Sequence, residues 1–358
     1  MNTPVTPRAA AKSARDFTFI KPQLRRLTEY EALTVHQQPD ALDFDRPRGN
    51  LDVTEWYLLR PDGKALWKPD STRLRHDDWY AYRDPAQQWQ RTYVRQQEQQ
   101  ETSIERVTED AGLDGALAAL DPQWVNDILC AHYRAWSFFD YAIFRALAPA
   151  QREALSDTLG NALCFQSFDH LRHAQAVVIY LVELENYHPA VTDAAGKEAW
   201  LSAPRYQPAR RLAEQIMNTA DWGELLIGLN LIVGPLLQQI AASDLVRRNA
   251  IQNGDPVASH IVMTAERDRR RNLGATEAFV RMVLDPTSAH AEFNRGIVQS
   301  WLDDWTSRAE AAVAALAPVF DAPPNKAVDF AQANAAARTN TARIIETLGL
   351  TTALGASR

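Results

Sequence analysis

Cysteine is almost missing from this chain: Cys130 and Cys164 are the only two in 358 residues. That excludes a disulfide framework and a cysteine-rich zinc site, and it fits a reducing cytoplasm. The sequence has no glycine-rich phosphate loop, no Gly-x-Gly-x-x-Gly after a strand and no Gly-x-Ser-x-Gly elbow. The commonest nucleotide-binding and serine-hydrolase machineries are therefore excluded. A basic surplus is absent too. The formal net charge is −7, which argues against nucleic acid as the main partner. The N-terminal stretch MNTPVTPRAAAKSARDF carries positive charge without an apolar core, so no secretory signal is expected. The longest apolar run, Leu225 to Leu237, is interrupted by Asn230, Gly234 and Pro235. It is too short for a membrane span and predicts a buried core helix.

What is present is an ordinary globular balance, 46% apolar and 23% charged residues, enough to bury a large core. Residues 1–50 are rich in Pro, Arg, Thr and Asp and show no sustained period. They read as an extended arm, either disordered or laid on a partner, in which Asp16 to Pro22 (DFTFIKP) looks made to pack on something. Residues 51–85 hold Trp56, Tyr57, Trp67, Trp79, Tyr80 and Tyr82, punctuated by PDG and DP, and read as loops with one short hairpin. The chain thus divides into an arm and aromatic loop region, 1–85, and a helical domain, 86–358.

In the second part helical periodicity covers 86–109, 122–147, 149–187, 206–219, 221–250, 256–284, 288–317 and 325–347. Asp84-Pro85, Asp121-Pro122 and Asp255-Pro256 each set an N-cap acid before a proline at the first helical position. Sustained β-branched alternation is nearly absent, so the fold class is mainly α. In 161–187, Cys164, Phe168, Leu171, Val178 and Val182 share one side, and His170, His173, Val177, Leu181 and Leu184 share the next. Apolar residues on both sides predict a helix buried over much of its circumference, with the histidines pointing inward.

Two strings carry the chemical information. In FDHLRHAQ, Phe168 to Gln175, His170 and His173 stand three apart and share a face. In di-iron carboxylate bundles a Glu and a His at that spacing supply a bridging carboxylate and an imidazole from one helix. Here the Glu position holds His170, and oxygen-activating iron needs carboxylate oxygens beside imidazole. In TAERDRRR, Thr264 to Arg271, Glu266 is present but the His position holds Arg269, a permanent cation that repels a metal. A salt bridge from Arg269 to a carboxylate on a facing helix is the expected substitute. Each string follows another long helix that ought to supply a Glu. The helix 122–147 has none, with His132, Asp127 and Asp140 its nearest candidates. In 221–250 the only Glu is Glu224, near the start.

A helix followed by a DExRH-like helix, repeated once, resembles the internal duplication of ferritin-like proteins of the ribonucleotide-reductase type. On this resemblance Gly234 occupies the place of the unpaired Glu of the second pair and His132 that of the first. The layout from the aromatic segment WYAYRDPAQQWQRTYVRQQEQQE (79–101) to the last helix is similar to the β (small) subunits of hydroxylase components of bacterial multicomponent di-iron monooxygenases, nearest to the propane, ether and alkene branch. The likeness covers roughly residues 15–350. It implies a ferritin-like helical bundle with an extended N-terminal arm and no catalytic, cofactor or metal residue of its own; His132, His170, His173, Gly234, Glu266 and Arg269 are degenerate ligand positions. It also implies a di-iron centre in a partner α subunit. Further partners are a coupling protein and an NADH-fed reductase, with or without a γ subunit, in a cytoplasmic assembly of αβ pairs that hydroxylates or epoxidises hydrocarbons. The arm, residues 79–101 and the paired long helices are the expected subunit contacts.

Two other readings stay open at this point. One is a divergent ferritin-like metal oxidase whose site gathers His132, His170 and His173. The other is a helical interaction protein outside this family. On the plainer reading the histidines are satisfied core residues, the RDRRR run at 267–271 is a solvated or subunit-facing helix with charge pairs, and Trp301 and Trp305 are helix packing or a contact patch.

Overall fold

The computed structural model describes residues 28–31, 34 and 70–355. The expected arm, including its DFTFIKP segment, and the expected hairpin lie almost wholly outside the described residues. Of that stretch, Thr28 and Glu31 form a reciprocal cap: Thr28 N–H donates to the Glu31 carboxylate at 2.8 Å and Glu31 N–H to Thr28 Oγ1 at 3.2 Å. Chain contacts divide the molecule into two units, Met1–Lys68 and Pro69–Arg358. Residues 70–85, grouped with the arm on sequence, pack within the second unit. Trp79 lies edge-on to Trp222 and stacks on Phe279, and Tyr82 Oη donates to the Ala275 carbonyl at 3.2 Å. Trp79 and Tyr82 are thus buried in the helical bundle of this chain.

No strand occurs among the described residues. Helix α1 is Gln90–Leu113. Helix α2 begins as a wide, π-helical stretch, Trp124–Tyr133, and continues as Arg134–Glu153. Next come α3 Asp157–Leu184, α4 Asp193–Ser202 and α5 Gln207–Asn218. Helix α6 spans Trp222–Gln252, π-helical over Gly228–Arg247, and is followed by α7 Pro256–Val283, α8 Ala291–Ala315 and α9 Phe330–Thr347. Helix α4 has no counterpart in the sequence reading; it is short and its start lacks a side-chain cap.

The start signals work locally. Asp255 accepts from Ala258 N–H at 2.9 Å with Pro256 behind it, and Asp121 Oδ1 accepts from Gln123 N–H at 2.7 Å. Asp84-Pro85 differs. Its carboxylate binds the N–H groups of Ala86 and Gln88 and closes a turn, and α1 starts only after Trp89.

Helices α2 and α3 form one antiparallel pair, α6 and α7 the other, with α3 against α7. Along α6 lie α8 and α9. Helix α6 is longer than its apolar run suggested, long and apolar enough to cross a membrane, but 83% of its most apolar window is buried inside the protein. Its composition is that of a core helix. Gly228 lets α8 approach it: a Cβ there would stand 2.3 Å from the indole of Trp305, which is fully buried and donates to Glu224 at 3.1 Å. Trp301 is buried as well, so the tryptophan pair is packing.

Helix α3 departs from expectation in an informative way. The side with His170, His173, Val177, Leu181 and Leu184 is buried. The other apolar side is open: Phe168 is 43% exposed, Val182 59%, and Ile179 beside it 70%. Apolar residues on two faces therefore do not mean two buried faces within this chain.

Candidate functional site

The inner faces of α2, α3, α6 and α7 meet around Asp140. This aspartate is buried on α2, and both its oxygens are taken. Oδ1 lies 2.7 Å from His170 Nδ1, and Oδ2 lies 2.9 Å from His173 Nδ1. Gln238 on α6 donates to Oδ1 at 3.0 Å, and His173 Nε2 is 2.9 Å from the Tyr133 hydroxyl. Burial pushes the Asp140 carboxyl up, but the charge on His173 and the hydrogen bonds from both imidazoles outweigh it and hold the group well below the usual carboxylate range. The cluster is thus an anion clasped between two imidazoles and an amide.

The six degenerate positions do not all converge here. His170 and His173 do. His132 lies two turns earlier on α2, with Nδ1 3.0 Å from the Tyr206 hydroxyl and Nε2 2.9 Å from the Ala241 carbonyl oxygen. Both its nitrogens are spent, and burial lowers its pKa to about 4. Asp140, not His132, is the α2 residue that meets the histidine pair. Gly234 contributes no side chain; the residue of α6 that reaches Asp140 is Gln238, one turn on. Glu266 forms an ion pair with Arg247 of α6 at 2.8 Å. The expected salt bridge of Arg269 takes another form, since its guanidinium donates to Ser243 Oγ at 3.0 Å. Burial lowers the pKa of Arg269, while the negative charges of Asp140 and Glu266 work to raise it. A guanidinium stays charged under such shifts.

A di-iron centre does not fit this set. It needs several hard oxygen donors facing one point, whereas Asp140 is fully engaged, Glu266 is paired with Arg247, and a cation stands where an imidazole is required. Nor do His132, His170 and His173 share a point: His170 and His173 both bind Asp140, whereas both nitrogens of His132 are engaged by Tyr206 and the Ala241 carbonyl. No group of three or more His, Cys, Asp or Glu among the described residues is arranged to hold a metal ion.

A second polar cluster joins α1, α3 and α7 and was not foreseen. Asp169 accepts from Tyr93 Oη at 3.0 Å, Gln97 at 3.3 Å and Asn272 at 2.9 Å, and it pairs with Arg271. Asp268 accepts from Gln97 at 3.1 Å and Arg271 at 2.9 Å, and lies 3.4 Å from Arg172. The RDRRR run is therefore not simply a solvated face: Asp268 and Arg271 turn inward while Arg267 and Arg270 are exposed. Desolvation pushes the Asp268 carboxyl up, the neighbouring Asp169 charge adds to that, and the arginines oppose it. The signal for both clusters was present as acids embedded in apolar periods, Asp140 between Phe139 and Ile143 above all, since a buried acid requires partners.

Residues 56–286 match the methane/phenol/alkene hydroxylase family. The chain is similar to the propane 2-monooxygenase hydroxylase component small subunit of Rhodococcus jostii (strain RHA1), 29% identical over 339 residues that cover 94% of this chain and 89% of that protein. It is 28% identical to the methane monooxygenase component A beta chain of Methylococcus capsulatus (strain ATCC 33009 / NCIMB 11132 / Bath) over 301 residues, 83% and 76% of the two chains. Among solved structures, xenon-pressurized phenol hydroxylase from Pseudomonas sp. OX1 superposes with a TM-score of 0.74 over 92% of each chain at 19% identity, a likeness of fold.

Proposed function

The chain belongs to the methane/phenol/alkene hydroxylase family, and from that premise we propose that it is the small, non-catalytic subunit of the hydroxylase component of a multicomponent hydrocarbon monooxygenase. The relatives that match nearly its whole length are small or β subunits of such components. One observation carries the non-catalytic role. At the ligand positions of the bundle, the buried Asp140 is closed off by His170, His173 and Gln238, with Arg269 held nearby.

On this reading iron belongs to a catalytic α subunit, and electrons reach it from NADH through a reductase and a coupling protein. The present chain contributes a rigid helical mass and a contact surface. Its clusters fix the angles between helices: the Asp140 cluster ties α2, α3 and α6, and the Asp169–Asp268 cluster ties α1, α3 and α7. Hydrocarbons are the substrate class, in the manner of the propane and methane relatives, and the reacting pocket lies in the partner.

Metal analysis of the purified chain checks the assignment. The expected content is far below stoichiometric, and about two irons per chain, the load of a working di-iron bundle, would overturn it.

A further inference from the structure

Tyr133 and Tyr206 each share a hydrogen bond with a buried histidine, and the two histidines differ in what stands behind them. Tyr133 on α2 and His173 on α3 are both buried, with the phenol oxygen 2.9 Å from His173 Nε2 and His173 Nδ1 2.9 Å from Asp140 Oδ2. A carboxylate oxygen only accepts, so in the neutral imidazole the proton sits on Nδ1 and Nε2 accepts from the Tyr133 O–H. In the second pair, Tyr206 Oη lies 3.0 Å from His132 Nδ1, and His132 Nε2 donates to the Ala241 carbonyl at 2.9 Å. No charge backs that imidazole, and burial holds its pKa down at about 4. It is a poor place for a further proton. His173 is a good one, because an imidazolium there lies against the Asp140 carboxylate, and burial strengthens that attraction.

The difference matters for electron loss. Burial pushes the Tyr133 hydroxyl well above its ordinary pKa, so the phenol keeps its proton at rest. Once an electron leaves the ring, the oxidised phenol is a strong acid. In a buried site its proton goes to a base already in hydrogen-bond contact, and His173 Nε2 is that base. Trp136 stands one turn along α2, fully buried and stacked on Phe139 at 4.7 Å. Its Nε1 has no hydrogen-bond partner among the described residues. An electron drawn from Trp136 leaves a proton with no acceptor, so the positive hole comes to rest on Tyr133.

We propose that Tyr133 is a redox-active tyrosine that passes its proton to His173 when it is oxidised, with Asp140 holding the imidazolium so formed. One electron goes to a high-potential one-electron oxidant, such as an oxidising radical or a photogenerated ruthenium(III) complex. The Oη–H bond of Tyr133 breaks and an N–H bond forms at His173 Nε2. The products are a neutral phenoxyl radical, an imidazolium paired with Asp140, and the reduced oxidant. The charge of the cluster rises by one, which matches the electron lost. An electron returned by a one-electron reductant such as ascorbate brings the proton back to Oη and restores the resting state. The cluster is then a reversible store for one oxidising equivalent. This concerns the chain by itself and stands whether or not it is the small subunit of a hydroxylase.

The test uses the full chain with a ruthenium polypyridyl photo-oxidant and persulfate, frozen after a flash and read by electron paramagnetic resonance. The expected signal is a neutral tyrosyl radical that outlives the radicals of exposed tyrosines. Tyr133→Phe should abolish it, whereas Tyr206→Phe should leave it in place. His173→Gln keeps an acceptor for the hydroxyl but removes the base, and the radical should then decay about tenfold faster or more. Difluorotyrosine in place of Tyr133 keeps the packing and should add fluorine couplings to the same signal, which assigns the site without relying on the fold of a variant. A signal that survives Tyr133→Phe, a signal without fluorine couplings, or an unchanged lifetime in His173→Gln would overturn the proposal. So would a wild-type chain that gives no persistent tyrosyl radical.

Discussion

With both oxygens of Asp140 held by imidazole nitrogens, removal of its charge leaves two buried histidines without their anion. Asp140→Asn is expected to cost about 3 kcal/mol, the scale for breaking a buried charge pair from one side. It should appear as a lower urea midpoint at unchanged slope. Because the folded pKa of Asp140 is depressed, its contribution is present above the ordinary value of 3.8 and is lost as pH falls below it. His132 acts in a different window. Its folded pKa is lowered from 6.5 to about 4, so the unfolded chain takes up a proton that the folded chain refuses. Stability is full above 6.5 and falls as the pH drops toward 4. Between pH 7 and pH 5 the wild type should lose roughly 2 kcal/mol more than His132→Gln. The difference between the two proteins is the quantity to measure, since the raised carboxyls of Asp255 and Asp268 titrate in both. Equal losses would show that His132 is not buried as described. At this scale the histidines were legible: their spacing placed them inward. Their partners were not, because Asp140, Gln238, Tyr206 and the Ala241 carbonyl reach them from other helices.

Among the elements, α6 decides how closely the others approach. It runs in a wide π register from Gly228 to Arg247, through Pro235, which has no N–H to offer the helix ladder. At its head Gly228 faces the Trp305 indole. Gly228→Ala is expected to lower stability by about 2 kcal/mol through overpacking, despite the better helix propensity of alanine. Thermal unfolding checks the sign, since a surface glycine would gain stability from the same change. The long elements were predicted by their apolar periods, and Asp121 and Asp255 mark two of the starts. The short α4 escaped, as did the π widening of α2 and α6. Both are settled by packing against neighbours and not by any local period.

As a whole molecule the chain has a filled interior and an unfinished outside. The ligand positions of the bundle are closed by hydrogen bonds, while α3 shows bare Val178, Ile179 and Val182. Anything that binds the folded form alone raises its melting temperature. The large hydroxylase subunit is therefore expected to raise it, and ferrous iron added to the lone chain is expected to leave it unmoved. A rise with iron would restore the oxidase reading.

The sequence by itself determined the class of the fold, the order of the long helices and the two strings in which ligand residues are replaced at His170 and Arg269. Those are properties of residue type and spacing along one helix. Only the tertiary structure decided that Asp140 and not His132 answers the histidine pair, that Asp268 and Arg271 turn inward, and that one apolar side of α3 is left uncovered. Each depends on which other helix stands opposite, and periodicity along a single helix does not specify its neighbour across the bundle.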